Sequence, residues 1–455
     1  MPAFRCLSRP FFAALSLSVS VLALAPAVSA TEVPAVLEGF ASLPAATFVQ
    51  PPKDAPPSLE VSGRYAQAPK RVDGVGLSAG RPYVKDAAQE PMLPFKGQPV
   101  QGFSGIKPAG NGDYVVLTDN GFGTKANSPD AMLMFHVVHP DWKTGKVSLK
   151  KTVFLHDPDR KVPFLIVNEN TGSRYLTGAD FDPESIQTIG EEVWIGDEFG
   201  PYLIRADKAG KVLAVFETKL DGRVLKSPDN YTVITPPKPG PVDFDVRRSK
   251  GFEGMAASPD GKTLYPLLEG ALITKGESET REGREYLRIL QFDVASQSWT
   301  GMSWKYLLDE NGLAIGDFNM IDATTALVIE RDNGEGDPRQ ACTGEARPDC
   351  QKTPAKIKRI YKIDLAAADA DGFVKKVAYI DLMAVKDPKG VAKGISRDGV
   401  MNFPFFTIED VHVVDATHII VANDNNLPFS AGRAVGVPDN NEFMLLSVPD
   451  LLSAK

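Results

Sequence analysis

Acidic side chains recur at the ends of similar hairpins along this sequence, and their spacing could support chemistry. In five hairpin-like segments the second strand ends on Asp or Glu, and most of the first strands begin beside another carboxylate. The start of the first strand of a hairpin lies next to the end of the second, so these acids should meet. The residues predicted to hold a metal are Glu184, Asp197, Glu198, Glu253, Glu269 and Asp424.

Gathered carboxylates repel one another, and each buried charge is costly unless it is compensated. A bound metal or cationic side chains can supply that compensation. Oxygen ligands, in a chain with five His residues and no Cys near the acidic segments, suit a hard cation, above all Ca²⁺. The alternative is that Asp and Glu at strand ends are solvated turn residues. That alternative explains any one residue, but it does not explain five correlated copies.

Basic residues also lie near the acidic hairpin ends. Arg331 follows one of them directly, Lys250 precedes a Gly-Phe-Glu-Gly segment, and Arg205 follows the second hairpin. Such side chains could hold the phosphate or carboxylate of a substrate. Equally, they could be ion-pair partners of the carboxylates. The pattern leaves both readings open.

The elements that would position these residues are short strands. β-rich runs separated by Gly, Asn, Asp and Pro turns predict an all-β protein. The five repeated hairpins leave room for two further strands each, as in a β-propeller, whereas a large sandwich would not explain the repeated acids. We predict five or six four-stranded blades, with six favoured. Residues 58–100 and the strand at 442–448 would form the sixth, and N- and C-terminal strands would close the ring.

The first 30 residues are typical of a secretory signal. Arg5 and Arg9 precede an apolar run, and Val28-Ser29-Ala30 fits a signal peptidase site. A retained membrane anchor is the alternative, and Pro26 disfavours it by interrupting the apolar run early. After signal cleavage no later stretch is long and apolar enough to span a membrane. We therefore expect a periplasmic or secreted protein.

The mature chain is predicted to contain one folded domain. Residues 31–60 form an Ala/Pro-rich segment, and residues 61–455 would form a single propeller that acts as a monomer. A net charge of −8 argues against nucleic acid as a partner. Cys342 and Cys350 flank a turn-rich stretch, which predicts a disulfide in an oxidising compartment; a metal site would need two further soft ligands.

Four segments of the chain resemble the phytase-like family, also called the esterase-like family of phytase proteins, a group of exported bacterial β-propellers. Asp-Glu-Phe-Gly-Pro and Gly-Phe-Glu-Gly are the most specific pieces, and the segments are residues 102–123, 193–213, 249–270 and 407–426. The resemblance implies a propeller with a Ca²⁺-bearing channel face and hydrolysis of phosphate or other esters. Unlike the true β-propeller phytases, this chain lacks a dense Lys/Arg cluster beside its acidic motifs, which disfavours phytate.

The resulting hypothesis is an exported, Ca²⁺-dependent hydrolase of small-molecule esters, with phosphoesters favoured. The six acidic residues would hold the ion, which would activate a water in the channel mouth. Glu409 or Glu330 would be the general base, and the cations that orient the anionic group would be Lys250, Arg205 and Arg331.

Two alternatives remain open from the sequence. The chain could be a non-catalytic propeller that is stabilised by Ca²⁺ and binds a small ligand or a protein. It could also be a lactonase or carboxylesterase that uses the same metal. Substrate class alone separates the last alternative from the phosphoesterase.

Overall fold

The described residues form many strands and very little helix, as the strand and turn pattern predicts. The computed structural model describes residues 30–66, 81–82, 92–233 and 242–455. All but Ala30 of the predicted signal segment therefore lies outside the described residues. The helices of the described residues are short: Pro57–Glu60 and Pro338–Gln340 are 3₁₀-helices, and Pro449–Ser453 is an α-helix. The all-β prediction is confirmed.

Four groups of four antiparallel strands follow one another along the chain, and we call each group a unit; the first of them is joined to the fifth unit, described below, by a parallel pairing of Lys146 with Ser42. The first unit contains Phe103–Gly110, Asp113–Thr118, Met134–Asp141 and Lys146–Phe154. The second contains Pro183–Ile189, Glu192–Asp197, Tyr202–Asp207 and Val212–Glu217. The third contains Phe252–Ala257, Thr263–Leu268, Arg284–Asp293 and Ser298–Leu307. The fourth contains Ala314–Met320, Thr325–Arg331, Lys358–Asp364 and Lys375–Asp381, to which Thr31–Glu32 adds in parallel.

The fifth unit is built from distant parts of the chain. Asp410–Val413, His418–Ala422 and Asn441–Ser447 pair antiparallel, and Val36–Leu43 adds to the last of these as the fourth strand. The sequence predicts that residues 442–448 form a sixth unit together with residues 58–100, of which 67–80 and 83–91 lie outside the described residues. Instead Asn441–Ser447 lies between two strands of the fifth, because Val36–Leu43 occupies its other edge. We find no sixth four-stranded sheet within the described ranges.

The remaining strands of the described residues are two residues long and lie mostly in connections. They are Phe48–Val49, Val61–Ser62, Arg81–Pro82, Met92–Leu93, Phe95–Lys96, Gln98–Pro99, Lys219–Leu220, Arg223–Val224, Ile273–Thr274, Glu277–Ser278, Thr280–Arg281, Val385–Lys386 and Val400–Met401.

Buried apolar layers join the units in cyclic order, so that the fifth unit also packs against the first. Each layer takes side chains from one face of each of two neighbouring sheets. In the order of the units, the layers include Leu117 with Ile195, Trp194 with Phe292, Ile289 with Val328, Ile329 with Val421, and Phe443 with Val116. Burial of these layers from water is the main force that holds the units together.

The first strand of each unit, which we call its inner strand, packs against the inner strands of its neighbours. This approach needs glycine at the contact points. A Cβ atom on Gly316 would lie 2.1 Å from the carbonyl oxygen of Ile408, and one on Gly254 would lie 2.8 Å from the Phe318 Cβ. Both distances are shorter than atoms can tolerate, so the inner strands meet only because these positions lack a side chain.

The two ends of the units differ in their connections. Tight turns such as residues 111–112 and 190–191 join strands at one end. The long connections leave from the opposite end, where the second strands finish and the inner strands begin. One of these, residues 332–357, contains the predicted disulfide: Cys342 and Cys350 are bonded, with Cα atoms 5.0 Å apart. Long loops at one end of a rigid scaffold are where functional groups are usually found.

Candidate functional site

The same backbone contact closes three of the hairpins at the end that carries the long connections. The amide of Asp119 donates to Gly102 at 2.9 Å, that of Glu198 to Asp182 at 2.9 Å, and that of Glu269 to Gly251 at 2.8 Å. In each pair an acidic residue follows the second strand and lies opposite the residue before the inner strand. This register brings the acids of one unit beside those at the start of its inner strand.

Three glutamates occupy matching positions near the starts of inner strands. Glu184 and Glu253 are the second residues of the inner strands of the second and third units, and Glu409 immediately precedes that of the fifth. None is more than 9% exposed. Glu253 and Glu409 lie 3.8 Å and 3.1 Å from Arg331 Nη2, and burial together with their charges raises the pKa of Glu184. Carboxylates from widely separated stretches therefore meet where the inner strands converge.

Two groups of three carboxylates have the spacing of a cation site. Asp182, Glu184 and Glu198 each offer an oxygen, and these oxygens lie within 4.8 Å of one another. Glu198, Glu253 and Glu269 form a second group with the same property. Glu198 belongs to both groups, so the two are continuous. We call the five residues the carboxylate cluster.

Several oxygens of the cluster are buried without a hydrogen-bond partner. They are Oδ1 of Asp182, Oε1 of Glu198 and Oε1 of Glu253. A buried carboxylate oxygen that accepts no hydrogen bond costs free energy, so native structures seldom leave one without a ligand or a proton. The residues present therefore fit a hard cation: the available atoms are all carboxylate oxygens, the donor set that Ca²⁺ prefers.

The pKa values of the cluster show the cost of holding these charges without a cation. Burial raises the pKa of Glu184, Glu198 and Glu253 well above the usual range, and neighbouring carboxylates raise it further. Burial also raises the pKa of Asp182 to about 6, against a hydrogen bond with Glu184 that lowers it. Without a cation the cluster therefore retains protons near neutral pH, and a cation would compete with them.

Arg331 is the buried cation of the site. Its Nη2 lies 3.1 Å from Glu409, 3.6 Å from Glu269 and 3.8 Å from Glu253. Its Nε has no hydrogen-bond partner, although the side chain is almost fully buried. The guanidinium of Arg331 therefore offsets part of the negative charge of the glutamates, and its Nε–H has no acceptor among the described residues. Such a group can bind an anionic oxygen.

Lys250 is the second cation beside the cluster and the more accessible one. Its ammonium pairs with Glu269, and its side chain is 40% exposed. Burial alone would lower the pKa of Lys250, but Glu269 and Glu198 outweigh it and the pKa is raised. Lys250 therefore stays protonated at the mouth of the site.

Asp197 and Asp424, two of the predicted ligands, lie beside the cluster with their oxygens engaged. Asp197 accepts the amides of Asp182 at 2.8 Å and Gly200 at 2.7 Å. Asp424 accepts the Thr407 hydroxyl at 2.7 Å. Burial raises the pKa of both carboxyls to about 7. The bonds of Asp197 hold the turn that carries Glu198, and the bond of Asp424 to Thr407 holds the segment that leads to Glu409.

The structure places Glu330 and Arg205, both expected at the site, elsewhere. Glu330 accepts the Tyr306 hydroxyl at 2.5 Å and pairs with Lys376 at 2.6 Å, in the layer between the third and fourth units. Arg205 pairs with Glu192 at 2.6 Å, near the opposite end of its sheet. The structure therefore does not bring Glu330 or Arg205 to the carboxylate cluster, because each side chain is committed to another partner.

Strand register accounts for the position of Glu330. Ala314, the first residue of the inner strand of the fourth unit, pairs with Arg331, and Ile315 pairs with Glu330. The fourth unit thus presents Arg331 where the other units present an acid. Successive strand residues point to opposite faces, so Glu330 turns away from the site.

Sequence reasoning also missed Asp182 and Asp119. Asp182 belongs to the carboxylate cluster. Burial raises the pKa of Asp119 well above its usual range, as do Asp424 and Asp182. The signal for Asp182 was the hairpin register: residue 182 lies opposite Glu198. Asp119 follows the second strand of the first hairpin, as Glu198 and Glu269 follow theirs. The repeated hairpin pattern was therefore the signal that could have identified Asp119.

The fold and site define an all-β, propeller-like protein with an acidic centre that could hold a metal. Comparison with protein-family models matches residues 98–427 to the family described as "Phytase-like: Esterase-like activity of phytase". That match covers most of the chain, so the chain belongs to this family, and the predicted membership is confirmed.

Individual relatives are more distant. An "Uncharacterized secreted protein" of Arthroderma benhamiae is 32% identical over 111 residues, which cover 22% of each protein. The chain thus spans about a fifth of that relative's length. Among solved structures, a luciferin-regenerating enzyme is 12% identical with a TM-score of 0.32 (78% of this chain, 79% of the other). The Dos1 propeller is 10% identical with a TM-score of 0.26 (78% and 71%). No helix among the described residues is long and apolar enough to cross a membrane.

Proposed function

We propose that this protein is an exported, Ca²⁺-dependent ester hydrolase, with phosphoesters as the favoured substrates, built on a five-bladed propeller. The cyclic packing of five units supports the blade count, and Val36–Leu43 beside Asn441–Ser447 would close the ring. The observation that carries the function is the carboxylate cluster, which has unpaired buried oxygens beside Arg331. We also propose that residues 1–30 are removed and that a monomer acts in the periplasm or outside the cell.

The ion would be held by Glu198 together with Asp182 and Glu184, or with Glu253 and Glu269. When bound, Ca²⁺ supplies charge neutralisation and lowers the pKa of water at the site. The protein contributes a rigid, water-poor cage, because the cage residues are almost fully buried and come from different sheets. Such rigidity raises affinity, since little ordering accompanies binding.

The cations of the site would bind and orient the anionic group of the substrate. Arg331 offers its unpaired Nε, and Lys250 is reachable from solvent. Two cations suit one phosphoryl or carboxylate group better than a polyphosphorylated ring. The presence of two cations therefore supports phosphomonoesters or phosphodiesters as substrates, and it disfavours phytate.

Glu409 is the proposed general base. The Ser104 hydroxyl donates to its Oε2 at 2.9 Å, and Arg331 Nη2 lies 3.1 Å from its Oε1. These two contacts fix the carboxylate in one orientation, as a base must be fixed to take a proton from attacking water. Glu409 is outside the two groups of three that would hold the ion, so binding and proton transfer are assigned to different residues.

The test separates these roles. Residues 31–455 are assayed on phosphomonoesters, phosphodiesters, aryl esters and lactones, after chelation and with Ca²⁺ restored. We expect Ca²⁺-dependent turnover of a phosphoester. Glu253→Gln should weaken Ca²⁺ binding, whereas Glu409→Gln should retain it and lower kcat by roughly 10²-fold or more. Glu191→Gln, on an exposed side chain paired with Lys208, is the control.

Absence of turnover on every substrate class contradicts the proposal. Turnover of lactones or aryl esters alone identifies a lactonase or a carboxylesterase.

One observation favours a non-catalytic alternative. The carboxylates of the cluster are nearly inaccessible, and Lys250 is the more exposed cation beside them. A buried ion could serve stability alone while the channel face binds a small ligand or a protein. Melting temperature and hydrolysis measured with and without chelator distinguish the two: a large loss of stability without any activity supports this alternative.

A further inference from the structure

We propose that the carboxylate cluster binds two divalent cations side by side, with Glu198 as a ligand of both. This inference rests on the proposed function and deepens it, because a single ion would use only one of the two groups of three. We call Asp182, Glu184 and Glu198 the first group, and Glu198, Glu253 and Glu269 the second group. In each group the ligand oxygens lie within 4.8 Å of one another.

Buried oxygens without a hydrogen-bond partner occur in both groups. Oδ1 of Asp182 belongs to the first group alone, Oε1 of Glu253 to the second alone, and Oε1 of Glu198 to the residue that the groups share. Asp182 is 2% exposed, and Glu198 and Glu253 are each 4% exposed. A cation in only one group would leave an unsatisfied carboxylate oxygen in the other, which costs free energy. Two cations leave neither group without a ligand.

The backbone places Glu198 between the two groups. Its amide donates to the carbonyl of Asp182, the residue before the inner strand of the second unit, at 2.9 Å. On the other side its carbonyl oxygen packs against Gly251, where a Cβ atom would lie only 2.4 Å away. Gly251 lies two residues before Glu253, so the missing side chain lets the turn that carries Glu198 reach the inner strand of the third unit. The packing of these two units therefore creates a shared ligand position.

The cationic side chains of the site do not take the place of a second cation. Lys250 pairs with Glu269. Arg331 Nη2 lies 3.8 Å from Oε1 of Glu253, which is beyond hydrogen-bond distance. That oxygen therefore stays without a hydrogen-bond partner even though a guanidinium is nearby. A divalent cation in the second group would satisfy it directly.

The two groups should differ in their affinity for cations. Among the ion pairs of the described residues, none joins Asp182 or Glu184 to a Lys or Arg side chain, whereas Arg331 and Lys250 both lie beside the second group. Their positive charges oppose a cation in the second group. The first group should therefore fill at a lower Ca²⁺ concentration than the second.

A pair of cations would favour phosphoesters over carboxylesters as substrates. Two divalent cations supply charge neutralisation for both the attacking and the leaving oxygen of a phosphoryl displacement. Arg331 and Lys250, beside the second group, would bind the remaining oxygens of the phosphoryl group.

The experiment counts bound ions and measures two affinities. Residues 31–455, stripped with chelator, are titrated with Ca²⁺ by calorimetry. We expect two Ca²⁺ per chain, bound in two steps whose Kd values differ by roughly tenfold or more. Asp182→Asn should weaken the tighter step by roughly tenfold and the other by less than about threefold, and Glu253→Gln should do the reverse. Glu191→Gln, which alters a side chain that is 89% exposed, should change neither step.

Mn²⁺ is the spectroscopic probe of whether the two ions are neighbours. Two Mn²⁺ ions that share Glu198 should give a magnetically coupled electron paramagnetic resonance spectrum when both groups are filled. At one equivalent the spectrum should be that of isolated Mn²⁺, because the first group fills before the second.

One Ca²⁺ per chain at saturation, two ions with uncoupled Mn²⁺ spectra, or single variants that weaken both steps equally would each overturn the paired site. Hydrolysis of a phosphoester is measured in parallel over the same Ca²⁺ titration. Two bound ions without turnover would contradict the hydrolase and leave the paired site intact. Ca²⁺-dependent turnover by a chain that binds a single ion would contradict the paired site alone.

Discussion

Neutralising Glu198 should have opposite effects on the metal-free and the Ca²⁺-bound protein. Glu198 is shared by both groups of three carboxylates, and one of its oxygens has no hydrogen-bond partner. In Glu198→Gln the side chain keeps its shape, loses its charge and gains an N–H that can donate to neighbouring carboxylates. The metal-free protein should become more stable, and Ca²⁺ should bind more weakly.

The magnitude follows from the spacing of the cluster. Ligand oxygens within 4.8 Å of one another repel by roughly 3 kcal/mol per fully ionised pair at an effective dielectric constant of about 20. Burial already raises the pKa of Glu198 well above its usual range, as does its proximity to Glu269 and Asp182. Retained protons relieve part of the repulsion, so we expect a gain of about 1–3 kcal/mol in the free energy of unfolding at pH 8.

The assay is urea denaturation at pH 8 in chelator, followed by calorimetric titration with Ca²⁺. Loss of a charged ligand from both groups should raise the Kd for Ca²⁺ by roughly tenfold or more. Glu191→Gln removes a charge from a side chain that is 89% exposed and should change neither quantity. A less stable metal-free Glu198→Gln protein, or an unchanged Kd, would refute the reasoning.

Three further predictions concern the same architecture. Burial raises the pKa of Asp182 to about 6 and of Asp197 and Asp424 to about 7. Between about pH 4 and pH 7 the folded protein in chelator thus binds more protons than the unfolded chain, and its free energy of unfolding should fall as pH rises. Urea titrations should show that Ca²⁺ reduces this fall, and a rise would contradict it. Glu330→Gln should cost about 1–3 kcal/mol and leave the Kd for Ca²⁺ unchanged, since Glu330 pairs with Lys376 away from the cluster; a changed Kd would return it to the site. Leu37→Ala should cost about 2–5 kcal/mol in urea denaturation, because this side chain is fully buried in the strand Val36–Leu43; a loss below about 0.5 kcal/mol would mean the strand is dispensable.

The features that depend on contacts between residues close together in the chain could be predicted from the sequence. Turn residues and short β-rich runs defined the hairpins, and the disulfide followed from two cysteines that flank a turn-rich stretch. The approach of Glu184 to Glu198 required nothing beyond the pairing of neighbouring strands. These contacts join residues close in the chain, where backbone geometry leaves few alternatives.

Two other kinds of feature could not be predicted from the sequence: strand pairing between distant parts of the chain, and which of two adjacent residues faces the site. Val36–Leu43 pairs with Asn441–Ser447 and so completes a unit whose inner strand, Asp410–Val413, begins about 370 residues later in the chain. No local sequence pattern identifies that partner. Glu330 and Arg331 are adjacent acidic and basic residues, so composition alone does not say which one faces inward. The pairing of Ala314 with Arg331 decides it.

Metal content tests the central claim most directly. Residues 31–455, purified without chelator and exchanged into Ca²⁺, should retain at least one Ca²⁺ per chain after extensive dialysis, measured by plasma mass spectrometry. The double variant Glu198→Gln, Glu253→Gln should retain none while remaining folded. A wild-type protein that holds no divalent cation, or a double variant that holds as much as wild type, would contradict the account.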